Sequence, residues 1–441
     1  MRRSGIRALA TACAATAALT LLTACGGKDG DGPGKDDGDG GPRSDARSVP
    51  APRRSFDPPR AFDTASAVDL PKESYTGKVT IGGALAGRPP VVLHRTLAHI
   101  ASADALQTVD ASTGRVVSRV GPAREALKPA SSMFEASPVQ PPAVVETAAV
   151  PVVVQPFLVK IPGKGTTAAG QAVEVVVADA VTGELKWRTE VPLPRWEDYS
   201  TPEVAVAGVD KGVAVVTATT GDHALTFALS IDTKKPMWQK EFAGVAVAGG
   251  VVAGPDPRGI GEKQRLKALD LATGEEKWST KDDSYESSVR AASPTLLAFS
   301  GRDYGSGHGF LRFLDAASGD VRNEPKDDAP GPDCSYDGRS VTVCAGSRGQ
   351  GPVVALDART AKELWRLPDQ GANRVAPTVT AVHHGLVYGR TANGPVLVDA
   401  LTGKDVDTKS PLGVAPVLVN GYTAVALDRR TDTLKAYRTK G

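Results

Sequence analysis

The sequence is poor in aromatic rings, in clustered basic charge and in helical periodicity. Aromatic residues are only 5% of the chain and no long Lys/Arg run occurs, so a nucleic-acid surface, with its stacking rings and basic patch, has no support. No apolar stretch after Leu22 is long enough to cross a bilayer as a helix. Gly-x-Ser-x-Gly does not occur around a plausible nucleophile, and no dense group of Asp, Glu and Asn stands at the spacing of a hard-cation loop. Only four cysteines are present, no two of them adjacent.

Short alternating runs of Val and Ala, separated by Gly, Pro, Asp and Asn, are abundant and read as many short strands. A phrase recurs among them: an apolar run, an Asp, a Thr-Gly or Ser-Gly, and often a Trp. The fullest copy is Ala268-Leu-Asp-Leu-Ala-Thr-Gly-Glu-Glu-Lys-Trp278, with weaker copies at Asp110, Asp179, Asp232, Asp315, Asp357 and Asp399. From Asp232 onward the Asp spacings are 38, 45, 42 and 42 residues, the length of one four-stranded propeller blade. The run before each Asp, such as Val173–Val177 or Phe310–Leu314, reads as a strand packed on both faces. The Asp carboxylate then accepts backbone N–H bonds to start a turn. Gly114, Gly183, Gly274, Gly319 and Gly403 follow four residues later, where a type I turn needs a left-handed residue.

Four of the five tryptophans keep the phase. Trp187, Trp278 and Trp365 lie eight residues after their Asp, and Trp238 lies six after Asp232. A position repeated on the outermost strand of several blades is expected to wedge neighbouring sheets, each indole burying about 150–250 Å². The blade-docking set is therefore Asp179, Gly183, Trp187, Asp232, Trp238, Asp270, Gly274, Trp278, Asp357 and Trp365.

The pattern Ala268-x-Asp270-x-x-Thr273-Gly274-x-x-x-Trp278 resembles the tryptophan-docking motif of quinoprotein-type, or PQQ-like, propellers. The resemblance covers about residues 75–441 and is weak at Asp110, Asp232, Asp315 and Asp399. It implies an all-β, eight-bladed propeller of four-stranded antiparallel blades, with seven blades as the alternative. Strands at 417–419, 422–427 and 434–437 fall short of a last blade by one, which the segment near Gly77–Ile81 could supply, and closure removes exposed sheet edges. The 69 residues from Asp110 to Asp179 exceed one blade, and residues 122–151 are expected to form a surface excursion.

Residues 1–24 read as an export signal: Arg2, Arg3 and Arg7, an apolar stretch from Ala8 to Leu22, then Leu22-Thr-Ala-Cys25, which resembles a lipoprotein lipobox. In lipoproteins that Cys carries a diacylglycerol, so Cys25 is the expected lipidation site. Residues 25–72 read as a Gly-, Asp- and Pro-rich tether without a core of its own. Loss of the signal leaves 49 basic against 50 acidic residues, close to neutral. Richness in Ala, Gly, Arg, Pro and Asp points to a high-GC Gram-positive bacterium, hence to the outer face of a cell membrane. Cys334 and Cys344 flank Asp337-Gly338, a hairpin signal, and in an exported protein they are expected to form a disulfide.

The PQQ resemblance also raises a quinone-dependent dehydrogenase, or a ligand carrier, using the central funnel. That family holds its quinone under neighbouring cysteines, with carboxylate and amide ligands to calcium. This chain has no such cysteine pair, and its recurring Asp residues read as turn starters. No catalytic, cofactor-binding or metal-binding set is assigned, and no cofactor is expected. His383-His384 is not read as a chelate, because adjacent side chains on a strand point to opposite faces. The expected partners are the membrane, through the lipid, and another protein or envelope component; the expected role is a non-catalytic scaffold.

Overall fold

The structure, a computed structural model, describes residues 54–440 except 76–87, 129–138, 197–200, 257–262, 326–332, 347–350 and 408–411. The signal, Cys25 and most of the tether lie outside the described residues. Eight antiparallel sheets follow one another in chain order. Blades 1 to 6 span residues 91–120, 143–192, 203–240, 246–279, 284–323 and 333–367, each with four strands. Blade 7, residues 378–399, has three strands among the described residues, and a single Val398–Asp405 bridge stands where its fourth would begin. Blade 8 combines Leu418–Val419, Thr423–Asp428 and Thr433–Lys440 with Ala61–Asp69 from the other end of the chain. Among the described residues the sole helical segment is a 3-10 turn, Lys72–Ser74.

Eight blades, rather than seven, is also the count given by the core. The buried apolar residues fall into eight clusters, each built by two neighbouring blades. One joins Val91, Ala98 and Ile100 of blade 1 to Val425, Leu434 and Ala436 of blade 8, so the circle is closed. Strands hydrophobic on both faces are what such a ring requires, since each sheet is covered on either side by the next. Val173 to Ala178 in blade 2 shows this, with five of six side chains apolar and all six buried.

The closing strand comes from a different place than expected. Residues 77–81 lie outside the described residues, and the fourth strand is Ala61–Asp69, which the sequence assigned to the tether. Its pairing with Thr433–Lys440 joins the two ends by main-chain hydrogen bonds, and Phe62 is buried against Tyr388. The signal was faint because Ala61–Asp69 alternates small and polar residues with one aromatic ring. The excursion in blade 2 is shorter than expected: Ala143–Val145 is that blade's innermost strand, and Val152–Ile161 its second. Before it, Ala123 and Arg124 donate their N–H groups to buried Glu174, and Ala126 bridges to Val159.

Cys334 and Cys344 face each other on paired strands of blade 6 and form a disulfide, with Cα atoms 4.0 Å apart. If Ala61–Asp69 is structural, Phe62→Ala should cost about 3–5 kcal/mol in denaturant unfolding. A cost within error of zero would return this segment to the tether.

Candidate functional site

Each of blades 1 to 7 presents two turns on the same face of the disc. The turn between its first two strands accepts a hydrogen bond from the turn between its last two, as in Leu271 N–H to Gly250 O, Ala316 N–H to Thr295 O and Ala400 N–H to Gly385 O. This turn face carries the repeated motif. Asp270 Oδ1 accepts the N–H groups of Ala272 and Thr273 at 2.9 and 3.1 Å, and Asp179 and Asp357 do the same for the residues two and three ahead. Hydrogen bonds from the Thr360 N–H and hydroxyl hold the Asp357 carboxyl below its ordinary range. The glycine four residues on has φ near +70° in Gly183 and Gly274, and the strand pairing slips by one residue beside it.

The tryptophans and glycines meet across the seams. A Cβ on Gly274 would lie 2.6 Å from the Trp238 ring of the preceding blade; Gly319 faces Trp278 at 2.8 Å and Gly403 faces Trp365 at 2.7 Å. Each glycine thus sets the turn and also forms the floor on which the previous blade's indole rests. The ring N–H is satisfied by the carbonyl just after the next blade's turn Asp: Trp238 to Leu271 at 2.8 Å, Trp278 to Ala316 at 3.0 Å, Trp365 to Ala400 at 2.8 Å. Trp187 packs into the seam between blades 2 and 3.

One member of the expected docking set is displaced. Asp232 is exposed in its turn and does not begin it. Ser230 does: its hydroxyl accepts the Thr233 N–H at 3.2 Å, and its carbonyl accepts the N–H of Lys234, which takes the left-handed position with φ 60°. Counted from Ser230, Trp238 lies eight residues on and is in phase with the others. Asp428 starts a turn at the opposite end of blade 8, between its second and third strands, where its carboxylate accepts the Arg430 N–H and pairs with Lys435 at 2.9 Å.

Seams without tryptophan make other hydrogen bonds to the same turns, some to the left-handed residue and some to the carbonyl just after the Asp. Ser118, eight residues after Asp110, donates to Gly183 O at 2.5 Å, and Asn323, eight after Asp315, donates to Ala361 O at 2.7 Å. The carbonyl of Ala180, where an indole would donate, receives His99 Nε2 at 3.0 Å; Ser293 serves Ala358 O at 2.6 Å. A carbonyl only accepts, so His99 carries its proton on Nε2, and Nδ1 accepts from the Thr108 hydroxyl at 3.0 Å. His99 is fully buried, and burial pushes its pKa down to about 4.

A second constellation on the turn face was not legible from spacing. Residues 54–60 cross blades 8 and 7 before entering the closing strand: Phe56 N–H donates to Gly421 O, and buried Tyr388 donates its hydroxyl to Pro59 O at 2.7 Å. Between these contacts Asp57 meets the turn after Thr378–His383. Asp57 Oδ1 lies 3.1 Å from His383 Nε2 and 2.5 Å from His384 Nδ1, and the two imidazoles stack with centroids 3.9 Å apart. This corrects the expectation that adjacent histidines diverge. The strand ends at His383, and His384 adopts φ 43°, which swings its ring alongside its neighbour.

Arg339 Nη2 approaches Asp57 Oδ2 at 3.7 Å and Nη1 donates to His384 O. Burial opposes ionisation of Asp57, but the His384 hydrogen bond and the charges of His384, His383 and Arg339 outweigh it and lower its pKa. Burial, with the adjacent His384, lowers that of His383 against the pull of Asp57. Among the described residues this is the group of His, Cys, Asp and Glu whose donor atoms converge, all within 4.8 Å of one another.

The other candidates do not converge. The turn carboxylates are spread singly over blades 1, 2, 4, 5, 6 and 7. Asp283 pairs with Arg265 and Asp282 with Arg312, while Asp327-Asp328 lies outside the described residues. Gly305–Gly309 is the turn between two strands of blade 5, started by Asp303. Trp196, out of phase, stacks on His223.

A family model described as outer membrane protein assembly factor BamB matches residues 73–280 and 174–409. The chain belongs to this PQQ-like repeat family. BamB from Moraxella catarrhalis is similar at 13% identity over 86% of this chain and 100% of that one, with a TM-score of 0.44. A europium-containing methanol dehydrogenase is similar at 11% identity over 85% of each chain, TM-score 0.38, and the rhamnogalacturonan lyase YesW at 14% over 85% of this chain and 75% of that one, TM-score 0.42. No curated protein matches the chain. These likenesses go no further than the propeller shape, because one fold hosts many activities.

Two matched glycines test the docking geometry. Gly212 has φ +75° and open space around it, so Gly212→Ala should cost about 1 kcal/mol for the left-handed backbone alone. Gly274→Ala adds the collision with Trp238 and should cost about 2–4 kcal/mol by the same unfolding assay. Equal costs would mean that the indole does not bear on this glycine.

His99 gives a pH dependence. Its pKa is lower folded than unfolded, so below 6.5 the unfolded chain binds the extra proton and stability falls as pH drops toward about 4. The loss should approach about 3 kcal/mol and be absent from the same pH series on His99→Gln. Parallel profiles for the two proteins would remove His99 from the account.

Proposed function

We propose that this chain is a protein-interaction scaffold of the bacterial cell envelope, held at the outer face of the membrane by a lipid on Cys25. The observation that carries the reading is family membership: the repeats match the model described for an outer membrane assembly factor over residues 73–409, most of the folded chain. The described geometry agrees with a scaffold. The motif's carboxylates cap their own turns, one blade at a time, so they share no point where a substrate could be attacked. The turns that result form a broad polar face, and loops on such rims are where propellers meet partners. Anchoring rests on Leu22-Thr-Ala-Cys25 and the charged, apolar segment before it.

The test uses the full-length chain in its own membranes. Wild type should partition with membranes, carry the mass of a diacylglycerol, and bring down a stoichiometric protein partner after crosslinking and detergent extraction. Cys25→Ala should lose the lipid and the membrane association with an unchanged Tm. Stoichiometric quinone in the purified protein, without a partner, would overturn the scaffold reading; a lipid persisting on Cys25→Ala would overturn the anchor.

A further inference from the structure

We propose that Asp57, His383 and His384 form a binding site for a divalent transition-metal ion, of which Zn²⁺ is the best match, fastening the N-terminal arm to blade 7. The proposal goes beyond the scaffold reading and does not depend on it. Its basis is the convergence of two imidazole nitrogens and one carboxylate oxygen from opposite ends of the chain. His383 Nε2 and His384 Nδ1 both point at Asp57 Oδ1, at 3.1 and 2.5 Å. Zn²⁺ takes nitrogen and carboxylate ligands at about 2.0–2.2 Å, which sets N···O separations across the ion at about 3.3 Å. The first distance is already close to that value, and the second opens to it by less than about 1 Å. The stacked rings, 19° from parallel, splay by rotation about their Cβ–Cγ bonds to aim both lone pairs at one point.

The placement of His384 is a further argument. It occupies the first position of the two-residue turn joining a blade's inner strands, at φ 43°. Gly249 fills that position in blade 4, and Lys211 and Arg95, both exposed, fill it in blades 3 and 1. Asn or Gly suits such a backbone best. A histidine there, preceded by another, is the arrangement that lets neighbouring residues on one strand end face the same ion, which regular pleating forbids.

The surroundings suit a ligand set of this kind. Arg339 holds Asp57 Oδ2 at 3.7 Å and donates to the His384 carbonyl, orienting the carboxylate so that Oδ1 is the oxygen turned to the imidazoles. Gly338 packs against the far edge of the His384 ring, where a Cβ would come within 2.8–2.9 Å. The His383 side chain is 16% exposed, His384 30% and Asp57 40%, so an ion can enter from the turn face and keep water in a fourth position. Three protein ligands and an open position make a site exchangeable with solvent rather than a sealed structural one.

The site can be tested on the chain without any histidine tag, stripped with chelator and titrated with Zn²⁺ in a calorimeter. One equivalent should bind, raise Tm and be reversed by chelator. His384→Asn keeps a residue that favours the left-handed turn, so it should fold with an unchanged circular dichroism spectrum and bind at least tenfold more weakly. Asp57→Asn should weaken binding likewise and remove the Tm increase, because the arm is then no longer tied to blade 7. Absence of stoichiometric binding, or binding that His384→Asn and Asp57→Asn leave unchanged, would overturn the proposal and reduce the cluster to a hydrogen-bonded latch.

Discussion

The seam between blades is the contact on which this propeller depends. A single blade is a small sheet, apolar on both faces, that cannot bury itself. It becomes stable only when each face lies against the next blade, and the relative position of two sheets has to be set by something more directional than apolar contact. Here an indole lies on the glycine of the following blade and donates its N–H to the carbonyl three residues before that glycine. The ring supplies buried area, the glycine supplies room, and the hydrogen bond fixes the register.

Substitution at the seams follows the same physics. Where tryptophan is missing, the acceptor carbonyl remains buried and would be costly to leave unpaired. His99, on the second strand of blade 1, and Ser293, in the inner turn of blade 5, satisfy it. Ser118 and Asn323 occupy the indole's own sequence position and donate to the carbonyl of the left-handed residue instead. The polar group is kept although the large ring is not, which marks the hydrogen bond as the more general requirement of the seam. The Trp-less seams between blades 1 and 2 and between blades 5 and 6 bury Phe157 and Phe313 instead.

Closure is the second constraint. A ring of sheets must join its last blade to its first, and this chain does so by lending Ala61–Asp69 to the three C-terminal strands. The arm that leads into this strand crosses the turn face over blades 8 and 7, and it is held there by Tyr388, Gly421 and the histidine pair. The candidate metal site therefore sits next to the blade in which the two ends of the chain pair. Blade 7, with three strands among the described residues, is the neighbour on which the arm leans.

The repeat was legible because its parts are local: a carboxylate two or three residues from the N–H groups it accepts, a left-handed glycine, and a tryptophan eight positions on. The same locality let the cysteine hairpin be placed from Asp337-Gly338. Ser230 escaped notice because a hydroxyl can do the carboxylate's work while a nearby Asp232 offers a false origin. Asp57 could not be joined to His383 and His384 from sequence at all, since more than three hundred residues separate them and one left-handed backbone angle turns two diverging side chains into a converging pair. Local hydrogen bonding is written in the order of residues. Contacts made by closing a ring depend on where distant strands come to rest, and only the assembled circle decides that.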